Sequence, residues 1–306
     1  MPKRLLDERQ WEFQLVKTRA DTDEAHARAL IDAGELEHAA ALLDTWARDD
    51  RGRFVPMLRE VLDQLEILVM GVRFRYVPAA RVSVGDDVGE DDERPARVVD
   101  VPAFWMAATP LLVGQTRLDL AHEGHTGIEV RRFSRFLIDG CAVVAVRWEN
   151  AAALSRSFTA EFNGLRLVGR LPFEREWERA ARGTLVGAEY PWGDEPPDGS
   201  RADFGRFGDW VPQPPTERAP NEYGLFALAG TVWEWCEDRY TDRGVCVDDD
   251  PGAIDATATT DGHRVLRGGS FVDDDIALRV ACRLGASPHL YGPNVGVRPV
   301  LVKASS

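Results

Sequence analysis

The sequence predicts an α+β fold in which a helical N-terminal segment precedes a loop-rich domain with small antiparallel sheets. Apolar residues recur with helical spacing up to about residue 70. The pattern then alternates between apolar and charged residues from Val72, which is typical of a half-buried strand. Beyond Gly183 the chain is rich in glycine, proline and tryptophan and follows neither period. This composition indicates an irregular core held together by aromatic side chains.

The first 70 residues are expected to form a helical module. Residues 30–43 resemble a tetratricopeptide-type hairpin with Gly34 at the turn, but a single unit cannot bury its own apolar face and no second copy follows. A third helix is predicted from Met57 to Val69. We therefore predict two domains, a helical module at 1–70 and a larger domain at 71–306. The N-terminal helices would serve for assembly or for docking of a partner.

Further elements are predicted within the larger domain. Period-two patterning extends through Val98–Val101 and Phe104–Met106, which indicates two more strands. Short amphipathic helices are predicted at 129–138 and 149–158. A third helix in this domain runs from Pro172 to Gly183, with proline in its first turn and glycine at its end.

Composition excludes several classes of function. The formal charge of −14 argues against nucleic-acid binding, which needs clustered Lys and Arg to release counterions from phosphates. The longest apolar runs fall far short of the ~20 residues of a membrane helix. The four cysteines form no CxxC pair, and the N-terminus does not resemble a signal peptide, so we expect a cytoplasmic protein with free thiols. Pairing of Cys236 with Cys246 stays open as an alternative.

Three separated groups of motifs carry a family resemblance. The chain resembles the formylglycine-generating enzyme or sulfatase-modifying-factor domain over about residues 71–302, and this resemblance implies a C-type-lectin-like fold. The motifs occur in the family's order, and the scaffold tryptophans among them supply large buried areas. They are Arg170–Gly183 with Tyr190–Asp194, Asn221–Phe226 with Ala229–Trp235, and Arg264–Ser270 with Gly296–Arg298.

Enzymes of this family carry residues that are missing here. Its oxidases use a pair of cysteines after the Gly-Gly-Ser motif, which bind copper as thiolates, but no cysteine follows Ser270 before Cys282. Its sulfoxide synthases hold iron with a set of histidines, and neither His26 nor His38 has suitably spaced partners. We therefore expect no catalytic residues and no required cofactor. The alternative is a metal- and oxygen-dependent oxidase or oxygenase of the same family.

A third branch of the family fits best, the variable proteins of diversity-generating retroelements. Their mutable codons lie in the C-terminal segment of this domain, between invariant positions. Two departures occur here, Phe271 in place of Trp and Val297 in place of Phe, and both remain apolar. The segments that resemble this invariant frame are Arg267–Phe271, Leu278–Arg283, Pro288 and Gly296–Arg298, and within Leu278–Arg283 the place of Cys282 is a variable one.

The composition of residues 271–298 agrees with that resemblance. The segment contains no Lys, Glu, Gln, Met or Trp, although about four would be expected from the rest of the chain. Every residue in it can be encoded by a codon that ends in a pyrimidine. This restriction remains when the adenines of AAC or AAT codons are randomised. Chance in a short polar loop is the alternative explanation.

The resemblance assigns a set of variable, ligand-facing positions. Their mixed apolar and acidic character suits a protein partner, because monomers rarely expose such apolar clusters without a function. The positions are Val272, Asp273, Asp274, Ile276, Ala277, Cys282, Leu284, Ala286, Ser287, Leu290, Tyr291, Gly292, Pro293 and Asn294.

The resemblance also implies a structural calcium ion near the Gly-x-Val-Trp-Glu turn. Gly230, Val232 and Glu234 match the family's ligand positions, but Ala227 replaces a side-chain oxygen donor and Thr231 replaces the usual Asn. Calcium prefers oxygen ligands, so the loss of one donor weakens the match. The alternative is that Glu234 only hydrogen-bonds its surroundings.

Overall fold

The chain divides into two compact units, Met1–Leu65 and Glu66–Ser306. The structure is a computed structural model. The predicted helices before residue 22 and across 129–137 lie outside the residues that it describes. Those residues are 22–49, 52–116, 138–208, 211–245 and 262–304.

The N-terminal unit is helical. Helix α1 covers residues 22–32 of the described chain, α2 is Leu36–Asp49 and α3 is Val55–Gln64. Gly34 has a φ of +77°, which glycine adopts without steric cost, so it forms the turn between α1 and α2 as predicted. The third helix was predicted to extend to Val69, but α3 ends at Gln64 and Ile67–Val69 form a strand.

The described residues of the larger unit form three sheets. The longest has six strands in the order β1-β2-β5-β12-β7-β6, the second has four in the order β10-β9-β8-β11, and β3 pairs with β4. The strands are β1 Ile67–Val69, β2 Val72–Val77, β3 Ala80–Val84, β4 Arg97–Val101, β5 Phe104–Ala107, β6 Thr159–Phe162, β7 Leu165–Arg170, β8 Trp233–Arg239, β9 Arg264–Arg267, β10 Arg283–Ala286, β11 Val295–Gly296 and β12 Val300–Lys303.

The sheets are antiparallel apart from one pairing among the described strands. Strand β11 runs parallel to β8, with Val295 opposite Trp233. Three of the predicted strands are confirmed as β2, β4 and β5. The predicted α+β class is confirmed, and the parallel β8–β11 pair is the departure from an all-antiparallel arrangement.

The described residues of the larger unit include two α-helices, and both were predicted. Helix α4 is Trp148–Arg156 and α5 is Glu174–Arg182. Helix α5 begins with the Glu176 carboxylate accepting the Phe173 N–H at 2.8 Å and ends at Gly183 with a φ of +57°. No helix among the described residues is both long and apolar enough to span a membrane.

Candidate ligand-binding site

Helix α5 carries both acidic and basic residues, and most of these charged residues are buried. Residues 174–181 are all buried, and they include Glu174, Glu178 and Trp177. Buried carboxylates are costly unless they are paired and hydrogen-bonded. The spacing of four residues places Glu174 and Glu178 on one face of the helix. Glu174 is paired with Arg283, and Glu178 is paired with Arg267.

Arg283 and Arg267 bind these two carboxylates. Arg283 donates from Nε to Oε1 of Glu174 at 2.6 Å and from Nη2 to Oε2 at 2.8 Å, which is a bidentate pair. Arg267 donates from Nη2 to Oε2 of Glu178 at 2.5 Å. Burial raises the pKa of the Glu174 carboxyl, but Arg283 and Arg267 outweigh burial and the pKa is lowered overall. The carboxylate therefore stays ionised between two cations.

Two further arginines of the segment have their own buried partners. Arg279 forms a bidentate pair with Glu93, with nitrogen–oxygen distances of 2.7 and 2.9 Å. Arg298 binds the Glu234 carboxylate at 2.8 to 3.0 Å. We refer to Arg267, Arg279, Arg283 and Arg298 as the framing arginines, because Arg267 precedes residues 271–297, Arg279 and Arg283 lie within them and Arg298 follows them, and each is paired with a carboxylate elsewhere in the fold.

Main-chain hydrogen bonds also hold the segment. Carbonyl oxygens of Pro288, Gly292 and Asn294 accept the N–H groups of Trp148, Ala145 and Trp233 at 2.9 to 3.1 Å. In addition, Arg267 donates from Nη1 to the carbonyl oxygens of residues 281 and 282 at 2.7 and 2.5 Å. The backbone between the framing arginines therefore follows a defined path.

The predicted ligand-facing positions divide into three groups by exposure. Asp274, Ile276, Leu284, Ser287 and Leu290 are exposed. The partly buried positions are Val272, Asp273, Ala277, Cys282, Tyr291, Gly292, Pro293 and Asn294, and Ala286 is buried.

The structure corrects the assignment of Asp273 and Ala286 as free ligand-facing side chains. Asp273 accepts the indole N–H of Trp233 at 2.8 Å, and the Ser270 hydroxyl also donates to it. The side chain of Asn294 donates to Ser270 at 3.1 Å, so it belongs to the same network. Ala286 is only 7% exposed. Asp273 and Asn294 therefore hydrogen-bond within the protein and Ala286 is buried in it, so these side chains stabilise the conformation of the loop.

Tyr291 is held on one side by an arginine. The guanidinium of Arg147 lies over its ring at 4.7 Å from the centroid, within the range of a cation–π interaction. Leu284 and Leu290 are 40% and 39% exposed, and Ile276 is 54% exposed. The surface of the C-terminal loop region, residues 271–294, therefore presents three aliphatic side chains and an oriented aromatic ring.

The residues predicted to hold calcium do not fit a cation. The Glu234 carboxylate binds the Arg298 guanidinium and accepts the Trp177 indole N–H at 2.7 Å, so its charge and oxygens are engaged. The Gly230 carbonyl accepts the Val232 N–H at 2.8 Å. No cluster of three or more His, Cys, Asp or Glu side chains able to hold a metal occurs in the described part of the chain. The alternative interpretation of Glu234 as an internal hydrogen-bonding group fits the contacts.

The cysteines of the described residues are not activated thiols. Burial raises the pKa of Cys282 to about 11, and it raises that of Cys236 well above its ordinary value. Cys141 is also buried and its pKa is raised. Thiols in these surroundings are protonated at neutral pH. Cys246, the alternative partner of Cys236, lies outside the described residues.

The sequence interpretation missed the acidic partners of the framing arginines. Glu174 and Glu178 lie in the helix predicted from Pro172 to Gly183, and the sequence analysis assigned no role to Glu93. One available signal was the unusual charge of a helix that also carries a central tryptophan, Trp177. Asp238 was also missed. Its carboxyl accepts the Glu174 N–H at 2.6 Å, while burial and then the Glu174 charge raise its pKa to about 7.

Comparison with known proteins identifies the family. The model of the sulfatase-modifying factor enzyme 1-like domain matches residues 67–303. The chain belongs to this family. The resemblance in the sequence motifs is thereby confirmed.

The relatives include a protein named as a formylglycine-generating enzyme and one named as an inactive form. The chain is 37% identical over 178 residues to the formylglycine-generating enzyme of Streptomyces coelicolor, covering 51% of each protein. It is 36% identical over 148 residues to the inactive C-alpha-formylglycine-generating enzyme 2 of Bos taurus, covering 42% of each. The matched region thus spans about half the length of these curated relatives.

Solved structures share the fold. Treponema denticola variable protein 1 superposes with a TM-score of 0.58 at 20% identity, covering 77% of this chain and 97% of that chain. PvdO from Pseudomonas aeruginosa gives a TM-score of 0.59 at 21% identity, covering 75% and 94%. At these identities the likeness establishes the shared fold alone.

We predict that Asp238→Asn stabilises the protein in a pH-dependent manner. The native pKa of about 7 exceeds the ordinary value of 3.8, so stability from the bound proton is complete below pH 3.8 and is lost as pH rises through about 7. The melting temperature of the variant minus that of wild type should therefore increase by several degrees between about pH 5 and pH 8, at ~2–4 °C per kcal/mol. The exposed Asp100→Asn is the control. An equal shift in both variants would contradict the assignment.

We also predict that calcium removal leaves stability unchanged. An ion bound only by the native state raises stability by mass action, so a structural ion would make melting depend on chelators. Because Arg298 already neutralises Glu234, melting in EDTA should differ by less than ~1 °C from melting in calcium-saturated EDTA. A large drop that calcium reverses and magnesium does not would restore the calcium assignment.

Proposed function

We propose that this chain is a non-catalytic ligand-binding protein that recognises its ligand through the C-terminal loop region. The observation that carries the proposal is the exposure of Ile276, Leu284 and Leu290 on a backbone fixed by buried arginine–carboxylate pairs. Exposed aliphatic side chains on a rigid backbone lose little conformational entropy of the main chain on binding. They are therefore suited to act as anchors.

The chemistry of this surface favours a protein partner. Asp274 and Asp275 are exposed beside Ile276, so acidic groups lie next to an apolar anchor. Apolar anchors supply most of the affinity in protein interfaces, while surrounding charges steer association. A partner with a basic rim around an apolar centre would match. The N-terminal helices are proposed to serve assembly or docking.

We further propose that a retroelement diversifies this region. The missing Lys, Glu, Gln, Met and Trp residues between 271 and 298 agree with codons that end in a pyrimidine. The framing arginines lie at the positions that the family's variable proteins keep constant. The name of one structural neighbour, Treponema denticola variable protein 1, is in line with this proposal.

A second candidate is an oxidase of the same family. It is favoured by the 37% identity to a formylglycine-generating enzyme. Copper-dependent oxidation in this family would use two thiolates, whereas Cys282 has no neighbouring cysteine in the segment after Ser270 and burial raises its pKa to about 11. Copper-dependent oxygen uptake with a cysteine-containing peptide would support this candidate over the binding protein.

We predict that exposed anchors of the C-terminal loop region dominate binding. Peptides that bind the full chain would first be selected from a phage-displayed random library. Their affinity for the triple variant Ile276→Ser, Leu284→Ser, Leu290→Ser should be at least about tenfold lower than for wild type, since truncating an anchor costs ~2 kcal/mol or more. Biolayer interferometry would measure the affinities. Melting temperatures should stay within a few degrees, because these side chains are exposed.

The matched control replaces three exposed apolar side chains elsewhere, Leu68→Ser, Val98→Ser and Val186→Ser. This control should keep wild-type affinity for most selected peptides. Loss of binding in the control triple and retention in the loop triple would place recognition outside the C-terminal loop region and contradict the proposal.

The diversification proposal makes a separate prediction about the surrounding DNA. A reverse-transcriptase gene should lie nearby, together with a near-copy of the codons for residues 271–298. Differences between the two copies should fall at adenines of the near-copy. Sequencing of the locus, or of siblings from related strains, checks this. Differences spread evenly over all four bases would remove the basis for diversification while leaving the binding proposal intact.

A further inference from the structure

A second candidate site is a cavity of about 200 Å³ that is lined by residues of the first and second groups of motifs and of the segment between them. Its lining residues fall between 191 and 229, so it shares none with the C-terminal loop region. Pro191, Trp192, Leu225 and Leu228 supply an apolar wall. The indole of Trp192 is held in place by stacking on Tyr190, at a centroid distance of 5.2 Å and an interplanar angle of 3°.

The cavity contains an uncompensated carboxylate. Glu222 lines it and is only partly exposed. Its Oε2 is buried and accepts no hydrogen bond, and no ion pair reaches the carboxylate from any residue that the structure describes. This oxygen lies against the end of α5, since a Cβ at Gly183 would approach it to 2.7 Å. A carboxylate oxygen that is buried without a hydrogen-bond donor raises the free energy of the empty site.

The nearby arginines are engaged by other groups. Arg201 also lines the cavity, but it forms an ion pair with Glu195 and lies 3.8 Å from the carboxylate of Asp198. Arg179 donates to the carbonyl oxygen of Gly183 at 2.9 Å and to the Tyr223 hydroxyl. Of the two charged side chains that line the cavity, Arg201 is paired, whereas Glu222 has no counter-ion among the described residues.

We propose that this cavity binds an alkylammonium group, with Glu222 as its counter-ion and the indole of Trp192 and Leu225 beside the alkyl stem. A volume of about 200 Å³ is below the ~300–1,000 Å³ of sites for drug-sized ligands, so it suits a single side chain or a small amine. An ammonium group is a compact cation on a flexible apolar stem, which matches a carboxylate beside an apolar wall. The group could come from a lysine of a protein or from a free amine.

The test uses the full chain and ligand-detected saturation-transfer NMR. The probes are n-butylamine, acetyl-Gly-Lys-Gly-amide, and matched peptides with norleucine or glutamate in place of lysine. Butylamine or the lysine peptide should bind, and the norleucine peptide should be at least about tenfold weaker because it lacks the charge. Binding of butylamine alone assigns a free amine as the source, and tighter binding of the peptide assigns a lysine side chain.

Two variants make the result specific to Glu222. Glu222→Gln should lower affinity for the amine by about tenfold or more, while the exposed Glu161→Gln, which removes the same charge elsewhere, should not. Without ligand, Glu222→Gln should melt at or above the wild-type temperature, because the carboxylate it removes is unpaired.

Three outcomes would overturn the proposal. The first is equal binding of the norleucine and lysine peptides, and the second is preference for the glutamate peptide, which would assign the site to an anion at Arg201. The third is a lower melting temperature for Glu222→Gln without ligand, which would mean that the protein itself pairs this carboxylate. None of these results bears on the C-terminal loop region, so they leave the proposed function untouched.

Discussion

The buried pairing of Glu174 with Arg283 is the interaction on which the rest of the larger unit depends. It joins the first turn of α5 to the first residue of β10, which are 109 residues apart in the chain. Both side chains are fully buried, so neither charge has water as an alternative partner. Truncating either partner would leave the other charge buried without its bidentate partner, at a cost of ~3–5 kcal/mol. Arg267 lies against the same carboxylate and continues the network to Glu178.

This network explains how an irregular segment keeps one conformation. Residues 271–294 contain only the short strand β10 and a 3-10 turn, and strand pairing alone supplies few hydrogen bonds. The framing arginines hold the segment at four places to carboxylates on α5, on β8 and beside β4. Because the backbone is held at these places, the side chains between the arginines can differ in exposure, from buried Ala286 to exposed Ile276.

Local patterns in the sequence predicted much of the fold, and tertiary contacts account for what they missed. Helix α5 was predicted from its proline and glycine ends, and β2 from its alternation, because both signals are local. The third N-terminal helix was extended too far, since a short apolar run such as Ile67–Val69 has the same composition in a helix and in a strand.

The site was less accessible to prediction than the fold. Arg279 and Glu93 are separated by 186 residues, and no local pattern predicts such a partner. Family resemblance assigned Asp273 to the ligand-facing set by its position. It gave no information on the indole of Trp233, 40 residues away, that binds this carboxylate. Glu222 belongs to the recognised motif Asn221–Phe226, but the missing hydrogen-bond partner of its Oε2 is a property of the folded chain alone.

The main-chain hydrogen bonds of the C-terminal loop region have a consequence for inheritance. Arg267 donates to the carbonyl oxygens of residues 281 and 282, and Trp148 and Ala145 donate their N–H groups to those of Pro288 and Gly292. A carbonyl oxygen is present whatever side chain its residue carries. A codon change at residue 282 or 292 therefore alters the surface without removing the acceptor. Descendants of this chain can exchange surface chemistry at such positions while they inherit the same backbone trace.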